Sequence, residues 1–131
     1  ERRLSLREHE LEDVFRLESC DRHVYDYQLH LTPGCELSTD VALAPRPPLG
    51  SRADEAWLRD PASARLTDGS VHLTARLGSQ ALRIDAQAPP DSELILCSFP
   101  SSAGCATAPI PMVILRTNAS RATFTVRLRW Q

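Results

Sequence analysis

Two segments of this chain alternate apolar and polar residues with a period of two, which is typical of β-strands with one buried face. Residues 25–31 place tyrosine or leucine at every odd position, and Pro33-Gly34 then closes the segment with a turn. Residues 122–130 place an apolar residue at every even position. Both segments therefore predict strands that pack on a core.

A third segment, residues 71–87, predicts a β-hairpin together with its register. Gly78-Ser79 has the glycine-first composition of a two-residue type II′ turn, so Leu77 should lie opposite Gln80. One face of the hairpin is then apolar and the other polar, and a slip of one residue would destroy this separation. The predicted pairs are Ala75 with Leu82, Leu73 with Ile84, Thr74 with Arg83, and His72 with Asp85.

The remaining segments are assigned from composition and from turn residues. Residues 93–97 and 112–115 predict apolar strands, residues 117–121 a turn into the last strand, and the proline-rich residues 43–51 a long connection. We expect a short helical turn from Ser51 to Leu58 and a second one at Asp60-Pro61. Residues 4–17 are assigned to a helix or an irregular lead-in, although Leu4-Leu6 and Phe15-Leu17 also suit strands.

These elements predict a mainly β fold, because short strands and turns follow one another without the spacing of βαβ units. We expect an antiparallel β-sandwich, immunoglobulin-like or jelly-roll-like, with one or two helical turns and stapled by disulfides. Residues 1–22 form a lead-in that belongs either to this domain or to a neighbouring one, and residues 23–131 form the sandwich domain. The only methionine is Met112, so we expect a processed chain or an excised part of a longer one.

Composition narrows the possible classes of function. The 131 residues are 42% apolar and 24% charged, as in an ordinary globular domain, and no apolar run reaches the ~18 residues of a membrane-spanning helix. A net charge of −2 argues against nucleic-acid binding. All 15 basic residues are arginine, which excludes a Schiff-base or P-loop lysine. The first 26 residues carry eight acids, whereas residues 116–131 carry four arginines and no acid.

Four cysteines without metal-binding or redox spacing indicate disulfides, and disulfides indicate an oxidising compartment. We therefore expect an extracellular or luminal protein, either secreted or the ectodomain of a membrane protein. Pairing of Cys20 with Cys35 and of Cys97 with Cys105 is favoured because each bridge closes a short loop. The nested pairing, Cys20 with Cys105 and Cys35 with Cys97, is the main alternative. Asn118 lies in an N-glycosylation sequon within a predicted turn, so it is the expected glycan site.

No motif indicates catalysis. The chain has no Gly-x-Ser-x-Gly elbow, its adjacent carboxylates are better explained by a solvated surface, and its four histidines are not spaced as metal ligands. We expect a protein that is not an enzyme and that uses no cofactor or metal.

The candidate binding residues lie on one strand face and in two loops. Arginines on the last strand and beside its turn form a candidate patch for an acidic partner, a carbohydrate sulfate or the acidic N-terminal region of another copy. Trp57 and Pro100 are the candidates in the loops. The expected function is an adhesion or receptor-type protein-interaction domain of a larger cell-surface or viral envelope glycoprotein. The alternatives are a secreted enzyme, an accessory carbohydrate-binding domain or a structural spacer. The arginines of the patch are Arg116, Arg121, Arg127 and Arg129.

Overall fold

A computed structural model describes residues 1–47, 58–100 and 108–130 of the chain. Strands contain 76% of these residues, and none of them lies in a helix. In chain order the strands are β1 (Arg2–Arg7), β2 (Glu10–His30), β3 (Glu36–Thr39), β4 (Ala44–Pro45), β5 (Arg59–Leu66), β6 (Ser70–Leu77), β7 (Gln80–Gln87), β8 (Ser92–Phe99) and β9 (Ile110–Trp130).

The sheet is organised around β9, and every pairing in it is antiparallel. β2 follows one edge of β9 for almost its whole length. The other edge is shared, because β8 pairs with residues 110–116 and β7 with residues 125–130. Two arms therefore extend from the same edge of β9: β7, β6 and β3 form one, and β8, β5 and β4 form the other. On the opposite side, β1 pairs with the first half of β2.

Both arms contribute to one hydrophobic core. Leu73 and Ile84 come from one arm and Leu66 and Leu94 from the other, and all four belong to a single buried cluster with Phe124 of β9. Side chains from the two arms can meet only if the sheet is curled, so the fold is a curled antiparallel sheet. The mainly β prediction is confirmed. The predicted two-layer sandwich is not, because the long strands β2 and β9 each run through both halves of the curled sheet.

The predicted helix or lead-in at residues 4–17 is wrong, because this segment forms β1 and the first half of β2. Its apolar spacing suited both a helix and a strand; residues 4–7 pair with β2, and residues 10–17 pair with β9. The paired stretch begins at Glu10 opposite Arg129 and ends at His30 opposite Met112. β2 thus continues through the expected domain boundary at residue 22.

The predicted turn at residues 117–121 is also wrong, since β9 continues through it. The irregularity lies opposite, where the β2 register shifts between Glu18 and His23. The helical turn at Asp60-Pro61 is wrong as well, because both residues lie in β5. The β5 register shifts between Arg59 and Ala62, and a bulge accommodates a proline that has no N–H to donate. The helical turn expected from Ser51 falls on residues 51–57, outside the described part of the chain.

The hairpin prediction is confirmed in every pair, from Leu77 opposite Gln80 to His72 opposite Asp85. Gly78 has φ +60° and Ser79 does not have a positive φ, as the type II′ turn requires. The apolar strands predicted at residues 93–97 and 112–115 are confirmed as parts of β8 and β9. Local turn chemistry and alternation therefore predicted this part of the sheet correctly.

Candidate interaction surfaces

The predicted arginine patch lies on the outer face of the sheet, and its charges are compensated within the chain. Arg127 Nε lies 2.9 Å from Glu12 Oε1. Arg129 lies 2.7 Å from Glu10 Oε2 through Nε and 2.6 Å from Asp85 Oδ2 through Nη1. The arginine side chains are 48% and 44% exposed. A partner would therefore meet a row of ion pairs rather than bare cationic groups.

Asp85 extends this row of ion pairs across the hairpin. Its Oδ1 lies 2.6 Å from His72 Nδ1 and 3.1 Å from Arg83 Nε, which confirms the predicted partnership of His72 with Asp85. Burial alone would raise the pKa of Asp85, but the hydrogen bonds and charges of His72 and Arg83 outweigh it and lower the pKa. Asp85 is thus held ionised by its hydrogen-bonded neighbours.

The other two arginines of the patch also pair with acids of β2. Arg116 donates two hydrogen bonds of 2.7 Å to Asp26, and this pair is largely buried. Arg121 lies 2.7 Å from Glu18, and both side chains are exposed. Antiparallel pairing of β2 with β9 explains the uneven charge distribution in the sequence, because it places the acidic N-terminal segment beside the arginines of the last strand.

One of the two loop candidates lies in the described part of the chain: Pro100 directly follows β8 and is partly buried. Trp57 lies outside the described residues.

No disulfide links the described residues, where Cys20, Cys35 and Cys97 are free thiols. The structure does not show the expected bridge between Cys20 and Cys35, and residues 23–30 of β2 extend between these two cysteines. Cys105 lies outside the described residues. Burial raises the pKa of Cys35, and it raises the pKa of Cys97 to about 11, so both thiols should react slowly.

Asn118, the predicted glycan site, lies within β9 opposite Val24 rather than in a turn. Its side chain is exposed, and Val24 beside it is 58% exposed. A sugar attached at Asn118 would therefore lie on an open part of the sheet.

A buried carboxylate that sequence analysis missed lies on the core face of β2. Asp13 is only 4% exposed, and it accepts hydrogen bonds from Tyr27 Oη at 2.8 Å and from Arg2 Nη2 at 2.6 Å. Burial alone would raise the pKa of Asp13, but these hydrogen bonds and the charge of Arg2 lower it overall. Burial, together with the nearby carboxylate, raises the pKa of Tyr27. The only available sequence signal was an aspartate at an odd position between Leu11 and Phe15.

A cleft of about 310 Å³ lies beside the turn of the β6–β7 hairpin. Leu31, Ala75, Leu82 and Trp130 supply apolar surface to it, and Cys35 lies at its wall. This is close to the smallest volume that binds a ligand, so the cleft has room for one small apolar group.

β1 lies at an edge of the sheet that the described strands form. Its one partner among the described strands is β2, and Leu4 and Leu6 are 59% and 74% exposed. Both leucines lie on the same face as their partners Asp13 and Leu11, but the hydrophobic core does not extend to them. The alternation of Leu4 and Leu6 with polar residues was the sequence signal for this strand.

Along β1, the backbone N–H and C=O groups of successive residues point alternately toward β2 and away from it. Glu1 and Arg16 exchange two backbone hydrogen bonds of 2.9 and 2.8 Å, which marks them as a hydrogen-bonded pair. Such pairs alternate along an antiparallel ladder, so the N–H and C=O groups of Arg2, Leu4 and Leu6 point to the open side of β1. Such an edge is a template on which another strand can pair.

Within residues 1–47, 58–100 and 108–130, no group of three or more His, Cys, Asp or Glu side chains is placed to hold a metal ion. The same residues contain no helix that is long and apolar enough to cross a membrane. No family model and no curated protein matches this chain.

Proposed function

We propose that this chain is an extracellular, adhesion or receptor-type protein-interaction domain of a larger cell-surface or viral envelope glycoprotein. It binds its protein partner by adding an extended segment of that partner to the edge of β1. The observation that carries the proposal is the combination, on one strand, of a backbone edge that no described strand pairs with and of exposed Leu4 and Leu6.

Strand addition explains why these two features occur together. Main-chain hydrogen bonds to the incoming strand provide affinity, and side chains of alternate residues provide specificity. Leu4 and Leu6 alternate in this way and lie on one face of β1. The outer arginines are less suited to this role, since Arg127 and Arg129 already pair with acids of the same chain.

The extracellular location is supported by the sequon at Asn118, whose side chain is exposed. Mass spectrometry of secreted protein before and after deglycosylation tests it. A sugar mass that disappears when Asn118→Gln is introduced is the expected result. An unmodified Asn118 in protein secreted from eukaryotic cells would remove this support.

Selection from a displayed library of random peptides tests the binding mode. We expect extended peptides with alternating apolar residues to be enriched on the wild-type protein and to lose binding to Leu6→Pro. Proline removes an N–H that points away from β2, so the β1–β2 ladder stays intact. Leu6→Thr is the matched control because it keeps that N–H and removes only the apolar side chain.

The two variants separate the possible outcomes. Peptides that bind Leu6→Thr weakly and Leu6→Pro not at all support strand addition with an apolar contact. Peptides that bind Leu6→Pro as well as the wild-type protein place the binding surface elsewhere and contradict the proposal.

A further inference from the structure

The edge of β1 is complementary to itself, and we infer that a second copy of this chain pairs with it in antiparallel fashion about a two-fold axis at Leu4. This inference rests on the proposed function and names the partner. It follows from the direction of the backbone groups and from the order of charges in residues 1–7.

Backbone direction restricts the possible registers. Only Arg2, Leu4 and Leu6 present N–H and C=O groups to the open side, so these residues must form the hydrogen-bonded pairs with the second copy. The symmetric register that uses the whole strand pairs Leu4 with Leu4, and Arg2 with Leu6 of the second copy.

Charge selects the same register. With Leu4 opposite Leu4, Glu1 lies opposite Arg7 of the second copy, and the two-fold axis creates this pair twice. A shift that places Ser5 opposite Ser5 brings Arg3 opposite Arg7, and a shift in the other direction brings Arg3 opposite Arg3. Like charges directly opposite each other destabilise strand pairs. The Leu4-centred register is therefore the one that combines full overlap with opposite charges.

The exposed leucines also find partners in this register. Leu4, 59% exposed, lies opposite Leu4 of the second copy. Both leucines are on the same sheet face as the core-facing residues of β2. Leu6, 74% exposed, lies opposite Arg2, whose guanidinium is held by Asp13. The aliphatic part of Arg2 can then cover Leu6 while its charged group stays paired.

Disulfide trapping tests the register in a Cys20→Ser background, which removes an exposed thiol. Leu4→Cys should form a covalent dimer under mild oxidation, because hydrogen-bonded partners lie about 5.5 Å apart at Cα, within disulfide range. Leu6→Cys is the matched control, since its two copies would lie four residue steps apart along the strands, about 14 Å. Cross-linking of Leu6→Cys as readily as Leu4→Cys would overturn the register.

A charge exchange tests the same dimer without new cysteines. Sedimentation velocity should show that Glu1→Arg and Arg7→Glu each weaken dimerisation roughly 3- to 10-fold, and that the double variant restores it. Leu4→Pro should be monomeric and retain the wild-type unfolding temperature within a few degrees. Additive losses in the double variant would contradict the pairing of Glu1 with Arg7.

Failure of this inference can be told apart from failure of the proposed function. A wild-type protein that stays monomeric and does not cross-link through Leu4→Cys has no self-pairing edge. If that protein still selects peptides that require the N–H of Leu6, strand addition stands and the partner is a different protein.

Discussion

The buried carboxylate of Asp13 gives the sharpest prediction about stability, because its partners differ in exposure. Asp13→Ala leaves the Tyr27 hydroxyl buried without its acceptor, and a hydrogen bond to a charged group is worth about 1.5–3 kcal/mol. Arg2 is 58% exposed, so solvent screening limits the loss of its ion pair to about 0–1 kcal/mol. We expect the free energy of unfolding to fall by about 1.5–4 kcal/mol, which corresponds to roughly 5–15 °C in melting temperature for a chain of this length.

Urea denaturation of the variants in a double-mutant cycle measures the interaction energy between Asp13 and the Tyr27 hydroxyl. Tyr27→Phe removes only the hydroxyl and keeps the ring, whose centroid lies 6.0 Å from that of Phe124. The two substitutions should couple by more than about 1 kcal/mol. Glu12→Ala is the matched control, because Glu12 neighbours Asp13 on the opposite face and pairs with a half-exposed arginine, so it should cost less than about 1 kcal/mol. Additive effects of Asp13→Ala and Tyr27→Phe would refute the reasoning.

The carboxylate of Asp13 also determines how the free energy of unfolding changes with pH. The pKa of Asp13 is lower in the folded chain than in the unfolded chain, where it is about 3.9. Its stabilising contribution is therefore complete above about pH 5 and is lost as pH falls through the lowered native value. In Asp13→Asn, the free energy of unfolding should fall less steeply as the pH is lowered below about 5. The same dependence on pH as in the wild-type protein would contradict this assignment.

Two further predictions concern backbone conformation and thiol reactivity. Gly69→Ala should destabilise the fold by more than about 2 kcal/mol, because φ is +82° and an added Cβ would lie 2.1 Å from the Ala88 carbonyl oxygen. Gly78→Ala, at φ +60° with open space around it, should cost only about 1 kcal/mol, and equal losses in thermal melts would contradict this distinction. In fully reduced native protein, exposed Cys20 should alkylate quickly and buried Cys97 only upon unfolding. Residue-specific mass spectrometry checks the order of labelling, and equal labelling rates would show that Cys97 is accessible.

The interaction surfaces could be predicted only in part. Arg127 and Arg129 were recognised on a polar strand face because alternation along a strand is visible in the sequence, whereas Arg116 and Arg121 were expected beside a turn and lie within β9. Their neutralisation was not predictable, since Arg127 and Glu12 are 115 residues apart in the chain. The same applies to Asp13, whose partner Tyr27 lies at the other end of β2.

Residues 71–87 show what the sequence determined by itself. A glycine-first turn and a strict alternation specify hairpin partners that are close in the chain, so local chemistry is sufficient. Tertiary structure decided the rest: residues 10–17 became part of a long strand, and β9 continued through an expected turn. In both cases the deciding interaction is the pairing of β2 with β9, which joins residues about a hundred positions apart and leaves no local pattern to read.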